Sequence, residues 1–156
     1  MTHTHQDVLE LAIEKHGRKE GCLLPILHEI QDTLGYIPEE LLKPLSHAIN
    51  RSRAEIHGVI SFYAHFRTSP PAALLLELCR AEACQARGAN ALIAHAKQQL
   101  GCDFHQNSRD GRVSLAPTFC LGLCAQGPAA MVNGAPLAHL TAARLDQIFC
   151  SPEVQS

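Results

Sequence analysis

Hydrophobic positions recur at helical spacing through the first third of the chain and at strand-like spacing after it. In MTHTHQDVLELAIEKHG, residues Val8, Leu9, Leu11, Ala12 and Ile13 share one side of a helix, with charges between them. CLLPILHEIQDTLG carries a second stripe, Leu23, Ile26, Leu27, Ile30 and Leu34, which Gly35 closes. A third helix is expected from Pro38, a residue suited to a first helical turn, through Leu41, Leu42, Leu45, Ala48 and Ile49. Pro44 lies inside that segment and should kink or shorten it. A fourth opens on Ser52-Arg-Ala-Glu55, where each side chain can satisfy an amide near the helix start, and runs on through EIHGVISFYAHF. The pattern predicts a small helical bundle over residues 1–68, with the apolar residues of GVISFY in its core.

At TSPPAA two consecutive prolines end any helix and mark a boundary, so a second domain is expected over 69–156. LLLELC reads as a buried strand, and ARGANALIAHAKQQLG as a helix stopped by Gly101. FHQNS and RVSLAP flank an Asp110-Gly111 turn, while AAMVN and PLAHL flank Asn133-Gly134, a strong hairpin signal. Thr141 is positioned to cap a last helix through Ile148. The second half therefore reads β-α-β-β-β-α or close to it, and the chain as a whole as α/β.

Charge and composition narrow the function. The 156 residues carry 13 Lys and Arg against 15 Asp and Glu, so no basic surplus is available for nucleic acid or anionic lipid. No apolar run approaches the length of a membrane span, no basic start leads into an export signal, and direct membrane contact is not expected. Seven cysteines cannot all pair internally, and a reducing cytoplasm is the expected setting. There is no G-x-G-x-x-G, no G-x4-G-K-[ST] and no G-x-S-x-G, hence no sign that this chain itself binds a dinucleotide or supplies a serine nucleophile.

Four of the cysteines form two close pairs, Cys79 with Cys84 as C-x4-C and Cys120 with Cys124 as C-x3-C. Cys79 ends a strand and Cys84 is expected in the loop before a helix; Cys120 ends a strand and Cys124 is expected in the loop before a hairpin. Two strand-end loops at one edge of a sheet can face each other and gather four thiolates around one pocket. Thiolates are soft, anionic donors, and a [2Fe-2S] core takes two on each iron, which two separated pairs can supply. The close C-x2-C-x2-C run of many [4Fe-4S] sites is missing. Structural zinc accepts the same four donors but favours the tighter C-x2-C, and neither pair is the C-x-x-C of dithiol redox chemistry. Spacing favours the cluster and leaves zinc open.

Ala83, Gly122, Ala125 and Gly127 are expected to let backbone approach the sulfurs, with Gly127-Pro128 in the trans form. Cys22, Cys102 and Cys150 are isolated and read as small buried apolar side chains. The ten histidines are scattered without metal-binding spacing, and His3 and His5 are expected in a frayed terminus.

Taken together, IQDTLGYIPEELL, EIHGVISFYAHF, C-x4-C, and C-x3-C followed by Gly-Pro resemble the thioredoxin-like [2Fe-2S] subunit of NADH:quinone oxidoreductases, NAD-linked nickel–iron hydrogenases and NAD-dependent formate dehydrogenases. LCRAEACQARGA and FCLGLCAQGPAAMVN look most similar to the gamma subunit of the molybdenum- or tungsten-containing formate dehydrogenases. The resemblance implies a helical bundle before a thioredoxin-like [2Fe-2S] ferredoxin domain. It implies Cys79 and Cys84 on one iron, and Cys120 and Cys124 on the other. It also implies a non-catalytic electron-transfer subunit beside an FMN-containing, NAD-binding flavoprotein, with formate oxidised at a pterin-bound molybdenum or tungsten in a larger subunit. An equivalent place in an NADH:quinone oxidoreductase or a hydrogenase is the alternative, and a zinc-binding assembly module a further one.

Overall fold

The structure, a computed structural model, describes residues 4–17 and 19–150. His3 and residues 151–156 lie outside the described residues. The chain divides into two compact units, Met1–Pro70 and Pro71–Ser156.

The first unit is helical. Its elements are α1 (His5–His16), α2 (Leu23–Leu34), a 3-10 turn (Glu39–Leu41), α3 (Leu42–Ile49) and α4 (Arg53–Phe62). His5 opens α1 rather than fraying: the Thr4 hydroxyl accepts from the Asp7 amide, and the His5 Nδ1 stands 2.6 Å from Glu40 Oε1. The same device starts α4, where the Glu55 carboxylate accepts from the Ser52 amide at 2.8 Å. Gly35 ends α2 with φ of 83°, a left-handed turn that glycine takes without a Cβ clash. The α-helix around Pro44 is shortened, as expected, to eight residues. The helix begins at Leu42, four residues later than expected, so the missing Pro44 N–H falls among first-turn amides that have no intrahelical partner.

Val8, Leu9, Ala12, Ile26, Leu27, Ile30, Leu45 and Ile56 form the buried centre of this bundle. Leu11 departs from the predicted stripe and is 55% exposed. GVISFY divides: Ile60 is buried, but Phe62 is 80% exposed and stacks edge-on against the partly exposed Tyr63. The segment after α4 is tied back to α2 by the buried Gln31, whose amide donates to His65 O at 2.9 Å and accepts from the Arg67 amide at 2.8 Å.

The second unit contains β1 (Leu74–Cys79), α5 (Glu82–Ala86), α6 (Ala89–Leu100), β2 (Gln106–Asn107), β3 (Val113–Thr118), a 3-10 turn (Cys124–Gln126), β4 (Ala130–Val132), β5 (Ala135–Leu137) and α7 (Ala142–Phe149). The strands form one mixed sheet in the order β2-β3-β1-β4-β5. β1 runs parallel to β3, with Leu74 opposite Val113 and Cys79 opposite Thr118; the other pairings are antiparallel. Asn133 and Gly134 both take positive φ, 47° and 82°, as a two-residue hairpin between β4 and β5 requires. Leu74, Leu76 and Leu78 pack with Ile93, Ala96 and Leu100 of α6 and Leu145 of α7 in one apolar cluster. Thr141 caps α7 by accepting from the Arg144 amide.

Candidate metal centre

Strand alternation decides where the first sulfur points. Leu74, Leu76 and Leu78 face the apolar cluster, and Cys79, one residue on, joins a separate small group with Cys84, Ala89 and Ala129. Cys84 does not lie in a loop as expected. It sits on the short helix α5, whose five residues form one turn held by its surroundings. That turn brings the Cys84 thiol into a hydrogen bond with the Cys79 sulfur.

The second pair follows β3, which ends at Thr118, two residues before Cys120. Cys120 has φ of 71°, a left-handed conformation uncommon for a residue other than glycine, asparagine or aspartate, and Gly122 has φ of 75°. The chain then closes into the 3-10 turn that begins at Cys124. This bend sets Cys120 Sγ and Cys124 Sγ 3.8 Å apart. Two thiolates bound at about 2.3 Å to one tetrahedral metal stand about that far from each other.

The four thiols belong to one constellation, since Cys84 feels the charge of Cys124 and Cys124 that of Cys79, beside Cys120. Cys79 and Cys84 are buried, whereas Cys120 and Cys124 are exposed. Burial pushes the Cys79 thiol up, but the amides of Ala81, Cys120 and Leu121 and the Cys84 thiol donate to its sulfur and hold it net below the ordinary thiol range. Cys84 is pushed up by burial and by its bond to Cys79, against a donation from the Ala129 amide. Cys124 is pushed up by its contact with Cys120.

The donor set fits a two-iron sulfide core: soft sulfur ligands in two pairs, with backbone N–H groups turned toward anionic sulfur. The left-handed bend that aims the Cys120 and Leu121 amides at one sulfur makes a small anion-accepting concavity.

A family model described as thioredoxin-like [2Fe-2S] ferredoxin matches residues 9–151. The chain belongs to this family. Its cofactor is the [2Fe-2S] cluster that defines the thioredoxin-like [2Fe-2S] ferredoxins. Among curated relatives, the NADP-reducing hydrogenase subunit HndA of Solidesulfovibrio fructosivorans is 32% identical over 88% of this chain and 80% of its own length. A subunit of the NADH-quinone oxidoreductase of Aquifex aeolicus is 34% identical over 80% of this chain and 78% of its own. The crystal structure of an NAD+-reducing [NiFe]-hydrogenase in the air-oxidized state aligns with a TM-score of 0.67 at 31% identity over 90% of this chain. This chain spans only 24% of that longer one.

Several features of this ferredoxin escape a reading of residue types. The amides of Ala81, Leu121 and Ala129 reach sulfur through backbone, which carries no side-chain signature. Of the four small residues singled out, Gly127 is the close approach: a Cβ there would stand 3.2 Å from Cys84 Sγ. Gly122 instead serves its positive φ, with open space where a Cβ would be. Gly127-Pro128 is cis, against expectation. Of the isolated cysteines Cys22 is buried, Cys102 is half-buried at the edge of the sheet cluster, and Cys150 is exposed rather than buried.

Proposed function

We propose that this ferredoxin is the electron-transfer subunit of a cytoplasmic, NAD-dependent formate dehydrogenase, with no catalysis of its own. The observation that carries the electron-carrier reading is the meeting of two cysteine pairs from the ends of different strands and the segments after them, one pair buried and one exposed. Cys79 and Cys84 would hold one iron, and Cys120 and Cys124 the other. When bound, the cluster accepts and releases single electrons, whereas nicotinamide exchanges hydride, so an FMN-containing, NAD-binding partner has to convert one into the other. The exposed Cys120–Cys124 edge, beside the 61% exposed Phe119, leaves the sulfur site open to that partner. Buried Cys79 and Cys84 keep water from the other side, and the amides on Cys79 favour added negative charge.

Formate as the ultimate donor is supported by the resemblance of LCRAEACQARGA and FCLGLCAQGPAAMVN to formate dehydrogenase gamma subunits. Formate would be oxidised at a pterin-bound molybdenum or tungsten in a larger subunit. The hydrogenase and NADH-quinone oxidoreductase relatives favour a second reading, the equivalent place in a complex of one of those two kinds. Among the described residues no helix is long and apolar enough to cross a membrane.

Affinity purification of the tagged chain from its native host separates the readings. Copurification of a flavoprotein and a formate-oxidising subunit, with formate-driven NAD+ reduction, is expected. A hydrogenase large subunit or a quinone-reducing membrane arm in the purified complex would overturn the formate assignment.

A further inference from the structure

The two thiol pairs lie on segments far apart in sequence, and an arginine side chain outside the thiol group also joins those segments. Arg87 follows α5, and its amide donates to Cys84 O at 3.1 Å. Its Nε donates to Gly127 O at 2.8 Å, across 40 residues. Gly127 in turn closes the 3-10 turn that starts at Cys124, and its amide lies 3.5 Å from Cys124 O. Cys84 Sγ and Arg87 Cδ both crowd the Gly127 α-carbon, at 3.2 and 3.4 Å from the position of a Cβ.

We propose that Arg87 is a positioning residue for the cluster: it clamps the loop of Cys120 and Cys124 to the helix of Cys84 and sets a fixed positive charge beside the sulfur site. This rests on the reading that these four cysteines are the ligands. A five-residue helix has little stability of its own, so the geometry of Cys84 depends on tethers of this kind. Arginine suits the task because Nε donates from within the stem while the rest of the guanidinium stays available and permanently charged. A cation near the site favours the reduced, more negative state of a cluster and raises its potential. An arginine that merely closed a surface turn would steady the loop without moving a potential.

The test uses the full chain, loaded and purified anaerobically, as wild type, Arg87→Met and Arg87→Lys. Three quantities are read: the midpoint potential by EPR-monitored titration, the reduced-state EPR spectrum, and the rate of iron loss to a ferrous chelator. Arg87→Met, which keeps the stem without charge or donor, is expected to lower the potential and to lose iron roughly tenfold faster, the effect of one charge-assisted hydrogen bond. Arg87→Lys is expected to recover the potential while iron loss stays fast, because an ammonium at the stem's end does not reproduce the Nε bond. Wild-type values for Arg87→Met would overturn the role of Arg87, and an Arg87→Lys potential as low as that of Arg87→Met would overturn the charge effect. If Arg87→Met does not load, Arg87→Lys carries the test alone: iron loss at the wild-type rate overturns the clamp. A wild-type chain that holds no iron removes the ligand reading beneath it, an outcome distinct from a loaded wild type with indifferent variants.

Discussion

The α-carbon of Gly127 stands against the sulfur of Cys84, so closely that a Cβ would lie 3.2 Å from Sγ. The backbone at Gly127, φ −66° and ψ 164°, suits alanine as well as glycine, which leaves side-chain contact, tightest at Cys84, as the obstacle. Gly127→Ala should displace the Cys84 thiol by a few tenths of an ångström, lower iron bound per chain and shift the g-values of the reduced cluster. Iron analysis and EPR on the anaerobically purified variant check this. Full loading with an unshifted spectrum would show that the thiol gives way freely.

The Cys120 side chain is exposed, so its loss should cost the fold little. Cys120→Ser is expected to abolish or strongly alter the reduced-state EPR spectrum while far-UV circular dichroism stays near native. An unaltered spectrum would remove Cys120 from the ligand set.

Gln31 is a buried amide that satisfies two backbone groups of the segment after α4. Gln31→Leu keeps the volume and removes both bonds, and should destabilise the helical unit by about 1–3 kcal/mol. Urea denaturation followed by far-UV circular dichroism measures the loss. A midpoint equal to wild type would mean that water replaces the amide without cost.

Asp110 gives a pH dependence whose sign is set by its partners. The Ser108 hydroxyl donates to it, followed in strength by the Arg112 amide and guanidinium, and its carboxyl falls from 3.8 to about 2. A depressed carboxyl stabilises the fold fully above its unfolded value of 3.8, and that contribution disappears as pH falls through about 2. The stability difference between wild type and Asp110→Asn should therefore be constant at neutral pH and close between those two values. Urea midpoints across that range provide the measurement, and a difference independent of pH would contradict it.

Much of this architecture can be read from residue order, and the exceptions share physical causes. LLLELC, the Asn133-Gly134 hairpin and the Ser52–Glu55 cap are local signals, sufficient within a few residues, and each stands where expected. Helix α5 leaves no mark on the pattern because five residues are too few to show a period, and it exists through contacts made by Cys84 and Arg87. Helix α3 starts late because a proline is equally acceptable anywhere in a first turn, and Pro44 rather than Pro38 occupies it. At the candidate metal centre the cysteine spacing announces the candidate donors. The amides of Ala81, Leu121 and Ala129 depend on φ and ψ at neighbouring positions, which no residue type encodes.

Strand β1 is bonded on one side to β3 and on the other to β4, and is fixed at its start by Asn133, whose side chain accepts from the Leu75 amide at 2.7 Å. Because neighbouring side chains on a strand point to opposite faces, sliding β1 by a single position would bury a thiol among leucines and turn a leucine toward the Cys84 thiol. Correct seating of the greasy residues and correct placement of the first candidate ligand are thus one folding event. Errors in either should surface together, as chains that fail to load and also fail to pack.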